Sequence, residues 1–385
     1  MRNFVIYILF ILFLSGCGSI SRNGSHFCDS GKESMLNKSD IEKMMRKVAD
    51  WQIANLSYST TSNLHDNGVS SWTNATFFLG LSEWAKTDSK KNDYYKWMNK
   101  IGSENNWMLA NNFKNNPKYQ MYHADEFCMG QFYLNMYDAK KDEKILQSTK
   151  ERITWVMNNP PNSVMEARNK QSWTWCDALF MAPPVYAGMA SIDNNNDYLQ
   201  FMDKEFKRTL DHLYDKENKL FFRDASYFEK REKNGKKIFW GRGNGWVAAG
   251  LVNILKQLPE NSEYTKFYED LYKEFIPRLV ELQGKDGFWH ASLLDPESYP
   301  SPETSATALI TYAITYGINQ NLLDYDTYCP VVEKSWDALQ SVVSETGKLG
   351  WVQPIGADPK KVTADMTASY GVGAFLLAGS EIMKM

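Results

Sequence analysis

Apolar residues in this chain recur at helical spacing almost everywhere after residue 39, and nowhere do they alternate for more than a few residues. The stretch at 124–138 shows the rule: Met129, Phe132, Tyr133, Met136 and Tyr137 fall at i, i+3, i+4, i+7 and i+8, one face of a helix. Twelve such patterns succeed one another, at 39–56, 72–87, 91–107, 124–138, 142–158, 177–191, 196–214, 244–257, 262–282, 303–317, 325–344 and 366–383. Loops rich in Gly, Pro and Asn separate them. A mean spacing of about 30 residues is that of helical hairpins, here repeated six times. No linker or low-complexity segment interrupts the run, so the prediction is a single all-α domain over residues 39–385.

The even-numbered patterns open differently from the odd ones. Each begins on a polar or aromatic cluster: Trp72-Thr73-Asn74, His123-Ala124-Asp125-Glu126, Trp175-Cys176-Asp177, Trp240 to Trp246, Pro302-Glu303-Thr304-Ser305, and Asp365-Met366-Thr367. If the hairpins close into a ring with the even helices inside, all six clusters meet at one end. Helix N-termini carry free N–H groups and partial positive charge, which suits an anionic ligand. Asp125, Glu303 and Asp365 are also residue types that cap helices, and tryptophans also pack cores. Recurrence in alternate helices favours one shared pocket.

The densest cluster runs from Trp173 to Pro184 and sets Asp177 beside Trp173, Trp175 and Cys176, where a helix begins. A carboxylate crowded by indoles loses hydration, and its pKa rises toward values useful for moving a proton. The helix N-terminus favours the ionised form instead. The sequence leaves that balance open, together with the simpler role of Asp177 as an N-cap.

Residues 1–17 carry Arg2, an apolar run from Phe4 to Leu14, and then Leu14-Ser15-Gly16-Cys17. The run is too short for a bilayer, which needs about 20 apolar residues. The tetrapeptide resembles the bacterial lipobox, whose Cys, here Cys17, is lipidated; an ordinary cleaved secretory peptide is the alternative. Residues 18–38 are largely polar, rich in Ser, Gly and Asn, and read as a flexible tether. The expectation is an exported protein, lipid-anchored in a bacterial cell envelope.

A net charge of −3 with interspersed signs offers no stripe for nucleic acid, so single arginines must hold any anionic ligand. The 13 Trp, 21 Tyr and 20 Phe supply flat faces of the kind that stack on sugar rings. The five cysteines form no CxxC, and they indicate neither a zinc site nor a disulfide scaffold. Cys128 and Cys176 read as small buried residues. His123 and Asp125 lack a third ligand, and neither metal nor other cofactor is expected.

Four motifs, Trp175-x-Asp177-x-x-Phe180-Met181, Trp240-x-Arg242-Gly243-Asn244-Gly245-Trp246, Gly287-Phe288-Trp289-His290 and Glu303-Thr304-Ser305-Ala306, together resemble glycoside hydrolase family 105. These are the unsaturated rhamnogalacturonyl hydrolases, related to the family 88 unsaturated glucuronyl hydrolases. The resemblance covers the chain from residue 40 to the end and implies an (α/α)6 barrel with its site at the N-terminal ends of the inner helices. It implies removal of a 4,5-unsaturated galacturonyl or glucuronyl residue from the non-reducing end of lyase-generated oligosaccharides. Asp177 would protonate C4 and then deprotonate the water attacking C5, while Asp125 would hold sugar hydroxyls and raise the pKa of Asp177 by like charge. Arg242, set between Trp240 and Trp246, would grip the uronate while the indoles stack on the ring. Trp173, Trp175, Thr73, Met181, Arg223, His290 and Glu303 complete the expected binding residues.

Two departures concern substrate. A His expected soon after the seventh helix is replaced in the run Leu220-Phe221-Phe222-Arg223-Asp224-Ala225, and another expected in 162–172 gives way to Glu166 and Arg168. Both put a rhamnogalacturonan substrate in question and leave the reaction intact. A barrel glycosidase acting on saturated glycans and a non-catalytic glycan-binding lipoprotein are the competing readings.

Overall fold

The computed structural model of the chain describes residues 36–56, 68–110, 121–167, 169 and 171–385. Cys17, the signal segment, nearly all of the tether, and Arg168 lie outside the described residues. Leu36 is fully buried and Asn37 caps the first helix, so the fold begins slightly before the expected boundary.

The helices are α1 (Lys38–Ala54), α2 (Trp72–Ala85), α3 (Lys91–Glu104), α4 (Cys128–Lys140), α5 (Gln147–Asn158), α6 (Ala178–Met181), α7 (Pro183–Asp193), α8 (Asn196–Leu213), α9 (Gly241–Gln257), α10 (Thr265–Glu281), α11 (Thr304–Asn319), α12 (Tyr325–Ser341) and α13 (Ser369–Ile382). The segments α6 and α7 are one element interrupted at Ala182, where Pro183 and Pro184 withhold backbone donors. Among the described residues these make twelve α-helical elements, the number that the periodicity predicts. Among the described residues the one sheet is a hairpin of β1 (Tyr214–Asp215) on β2 (Leu220–Phe221).

The helices α2, α4, α6–α7, α9, α11 and α13 form a closed ring in which each packs on the next and α13 returns to α2. Burial explains the sorting. Helix α11 is buried on every face from Thr304 to Ile318, as suits a helix with protein all round it. Helix α8, in the outer layer, buries a stripe that includes Leu199, Met202, Phe206 and Leu213 and leaves its opposite face to solvent. At the seam of the ring two glycines bring backbones together: a Cβ on Gly80 would lie 2.2 Å from the Gly373 carbonyl oxygen. This arrangement is the (α/α)6 barrel.

Three local features differ from the sequence reading. Helix α9 begins at Gly241, so Arg242, Gly243 and Asn244 lie in its first turn. Helix α13 begins at Ser369, and Asp365 is exposed and bonded by the Thr363 hydroxyl. Cys329 is disulfide-bonded, whereas Cys128 and Cys176 are free and buried.

Candidate active site

Asp177 is delivered by an extended segment that pairs with the chain following β2. Trp175 forms a β-bridge with Asp224, and the Cys176 N–H donates to the Arg223 carbonyl at 2.8 Å. The hairpin after α8 thereby lays Arg223 and Asp224 alongside Asp177. Asn244 fastens β2 to the start of α9, accepting from the Phe221 N–H at 2.8 Å and donating to the Phe221 carbonyl at 3.1 Å. Its neighbour Gly243 faces the carboxylate. A Cβ there would sit 3.0 Å from Cys176 Sγ and 3.8 Å from Asp177 Oδ1, so glycine lets α9 begin directly against the acid.

Asp177 is 7% exposed, and its Oδ1 has no hydrogen-bond partner. Its side chain makes no capping bond although it stands at the cap position of α6, so the N-cap role is not the one adopted. Arg223 Nε lies 3.6 Å from Oδ2. Burial pushes the Asp177 carboxyl above the usual carboxylate range; Arg223 and Arg242 pull it down, Asp224 adds repulsion, and burial wins. Burial also pushes Asp224 up, but hydrogen bonds from Ser226 and Arg223 hold it below its ordinary value. An acidic neighbour that raises Asp177 is Asp224. Burial pushes the Cys176 thiol well up, which leaves it a poor nucleophile.

Asp125 lies in a 3-10 turn before α4, its side chain 24% exposed and its Oδ2 3.9 Å from His123 Nδ1. The His123 ring packs at a tilt on Trp175 with centroids 4.8 Å apart, which ties the Asp125 turn to the segment carrying Asp177. Among the described residues no group of three His, Cys, Asp or Glu side chains is placed to hold a metal ion.

Several expected binding residues form the wall rather than the mouth of this site. Arg242 is buried, not held between two indoles. Its guanidinium lies 4.4 Å over Trp240 and 5.0 Å over Tyr370, and it donates to the Gln353 carbonyl, to Tyr370 Oη at 3.1 Å and to the Pro354 carbonyl at 2.9 Å. Trp240 donates to Gln353 Oε1, while Trp246 packs in the core against Phe180 and Trp72. Glu303 is fully buried and caps α11; its carboxylate accepts from the Ser305, Ala306 and Gln353 N–H groups. Thr73 bonds Ser71, Met181 is buried in the core, and Trp173 packs on Tyr186 and Phe201. His290 Nδ1 lies 3.0 Å from the Ser301 carbonyl and Nε2 3.5 Å from Asp286. Side-chain contacts join several of the inner helix starts, with Trp72 against Trp246, Ser369 on Asn74 and Arg242 on Tyr370; Arg223 and Asp125 are partly exposed, and Asp177 beside Arg223 is nearly closed off. Gln353 and Tyr370, which organise the buried wall, carry no signal in the sequence pattern.

A family model described as Glycosyl Hydrolase Family 88 matches residues 44–385. The chain belongs to glycosyl hydrolase family 88. This family 88 member is 36% identical to the unsaturated 3S-rhamnoglycuronyl hydrolase of Formosa agariphila, over 91% of its own length and 92% of that protein's. A solved family 88 glycosyl hydrolase from Bacteroides vulgatus superposes with a TM-score of 0.79 at 31% identity, covering 90% of this chain and 99% of that one. A solved structure named as a polysaccharide lyase gives the same TM-score and identity, with 90% and 97% covered.

Proposed function

We propose that this family 88 hydrolase removes a 4,5-unsaturated uronic acid from the non-reducing end of lyase-generated oligosaccharides, with Asp177 as both acid and base. The observation that carries the reading is a desolvated carboxyl with raised proton affinity, held at the site beside a partly exposed guanidinium. Protonated Asp177 gives its proton to C4, and the C4=C5 pair forms the new C–H bond, leaving an oxocarbenium ion at C5. Water adds to C5 and returns a proton to Asp177. The resulting hemiketal opens to a ketone at C5, and the hemiacetal left at C1 collapses to an aldehyde and expels the remaining sugar chain. One water is consumed and Asp177 is regenerated. Arg223 suits the uronate carboxylate next to C5, and Asp125 suits the ring hydroxyls. The preferred substrate class is a rhamnose-linked uronyl unit, supported by the name of the Formosa agariphila relative and by the two departures from the rhamnogalacturonyl pattern.

The test uses the chromophore of the substrate. Purified protein is mixed with oligosaccharides from ulvan, pectin, heparin and chondroitin lyases, and ultraviolet absorbance is followed. A fall on the ulvan products supports the reading. No fall on any member of the panel would sink it, and a rise on intact polysaccharide would mark a lyase, which makes the double bond instead of consuming it.

Arg223 gives a second check. Its charge lowers the pKa of Asp177, so Arg223→Ala should raise that pKa further and move the alkaline limb of kcat to higher pH. KM should rise by about tenfold or more, because a charge-assisted contact to the uronate is lost. An unchanged alkaline limb would remove Arg223 from the neighbourhood of the reacting carboxyl.

Export as a lipoprotein is proposed from the Leu14-Ser15-Gly16-Cys17 sequence, and the disulfide at Cys329 fits an oxidising compartment. Cells fed a tagged fatty acid should label the wild-type chain and not Cys17→Ala. Labelling of both would refute the anchor.

A further inference from the structure

The turn that carries Asp177 has a defect in its backbone that another helix repairs. In a helix the Phe180 carbonyl would accept from residue 184, or from residue 183 in a tighter turn. Both are proline and have no N–H. The Phe180 carbonyl therefore has no helical donor in either register. Gln131, buried on the neighbouring helix α4, supplies one: its Nε2 donates to the Phe180 oxygen at 2.7 Å. The same Phe180 residue donates its N–H to the Asp177 carbonyl at 3.0 Å. One residue thus links the Gln131 amide to the residue bearing the acid. On the other side the α9 backbone presses on this turn, where a Cβ at Gly250 would lie 2.4 Å from the Leu179 oxygen.

The direction of the Gln131 amide is itself imposed. Lys256, an ammonium that can only donate, contacts Tyr312 Oη at 3.2 Å. Tyr312 must then give its own proton to Asn253 Oδ1, at 2.7 Å. That turns the Asn253 amide N–H toward Gln131 Oε1, at 2.9 Å, and leaves the Gln131 N–H group facing Phe180. Lys256 is anchored in turn by Glu381 and Glu83, at 3.2 and 3.7 Å. These groups line a cavity of about 170 Å³ inside the ring, with Gln131, Asn253, Lys256 and Tyr312 on its wall.

We propose that Gln131 is a positioning residue for the reaction: by giving the Phe180 carbonyl the bond that Pro183 and Pro184 deny it, it fixes the turn on which Asp177 is aimed. The inference rests on Asp177 being the acid, so Asp177→Asn is run in the same assay. Gln131→Met keeps the length of the side chain and removes the donor. It should lower kcat by about tenfold or more, since small misplacement of a reacting group is costly. KM should stay within about twofold, because Gln131 touches no substrate. Adding Pro184→Ala returns an N–H to the turn, and the double variant should regain kcat by about threefold or more over Gln131→Met.

A Gln131→Met enzyme with kcat within about twofold of wild type overturns the proposal, and so does a loss of kcat that Pro184→Ala fails to relieve. If Gln131→Met does not fold, Tyr312→Phe is measured instead, since it keeps the packing and frees the amide chain. A fall in kcat at constant KM supports the inference, and an unchanged kcat refutes it. A fully active Asp177→Asn would instead remove the catalytic role of Asp177 on which the inference depends. An inactive Asp177→Asn beside a fully active Gln131→Met would refute this inference alone.

Discussion

Asp177→Asn is expected to fold normally and to lose turnover by about a thousandfold or more, because in the proposed mechanism one side chain both donates and accepts the proton. The amide has nearly the same shape but holds no transferable proton at neutral pH. The effect on stability should have the opposite sign. Burial raises the folded-state pKa of Asp177 above its unfolded value. Ionising it therefore costs nothing below the unfolded-state pKa, and the cost grows until pH passes the raised folded-state value. At neutral pH the amide removes that cost, so thermal unfolding should show a Tm equal to or above that of the parent. Steady-state rates and a melting curve on the same preparation check both halves. Turnover within about tenfold of the parent would exclude the catalytic role, and a fall in Tm would mean that the carboxylate is held by partners beyond Arg223.

Arg242→Ala is expected to act first on the fold. The buried guanidinium donates to the carbonyls of Gln353 and Pro354 and to Tyr370 Oη, while its plane covers Trp240. Truncation removes charge-assisted donors from both carbonyls, leaving Gln353 only the Tyr370 hydroxyl, and opens a gap beside an indole. A loss of about 2 kcal/mol or more follows from the lost charge-assisted bonds and the gap together. Tm should fall by roughly 3 °C or more. Arg242→Lys should not repair this, because an ammonium cannot reproduce a planar fork that serves several acceptors and stacks on a ring. If instead Tm holds and KM rises sharply, the guanidinium is reading the uronate as the sequence motif suggests, and the buried wall is not its main task.

The contrast between Asp177 and Arg242 shows how far the sequence is legible. Helices are plain in it because their apolar spacing is a local property, and the inner and outer sets differ in how much of each surface is apolar. Asp177 stands out because its aromatic neighbours are adjacent in the chain. The role of Arg242 depends on Gln353 and Pro354, more than a hundred positions away in a loop without periodicity. No local pattern announces such a partner. The break at Ala182 is a different case: the apolar spacing runs on through Pro183 and Pro184, so the period hides what those two residues do to the backbone. Glu303 was ambiguous from the start, and the structure resolves it as the cap of α11. For Cys329, no spacing in the sequence announces the bond.

The closed ring also sets a clock on when this enzyme can exist. Helix α13 lies far along the chain from α2, and it completes the ring by packing on α2, with Ser369 bonding Asn74 across 295 positions of chain. Contacts of such sequence separation form late, because chain closure must precede any gain from them. Tyr370, which Arg242 needs, belongs to that same final helix. A chain still emerging from the ribosome therefore has every residue of the proton-transfer centre and no finished wall behind it. Activity should therefore require α13 in place, and not grow by degrees as the hairpins appear.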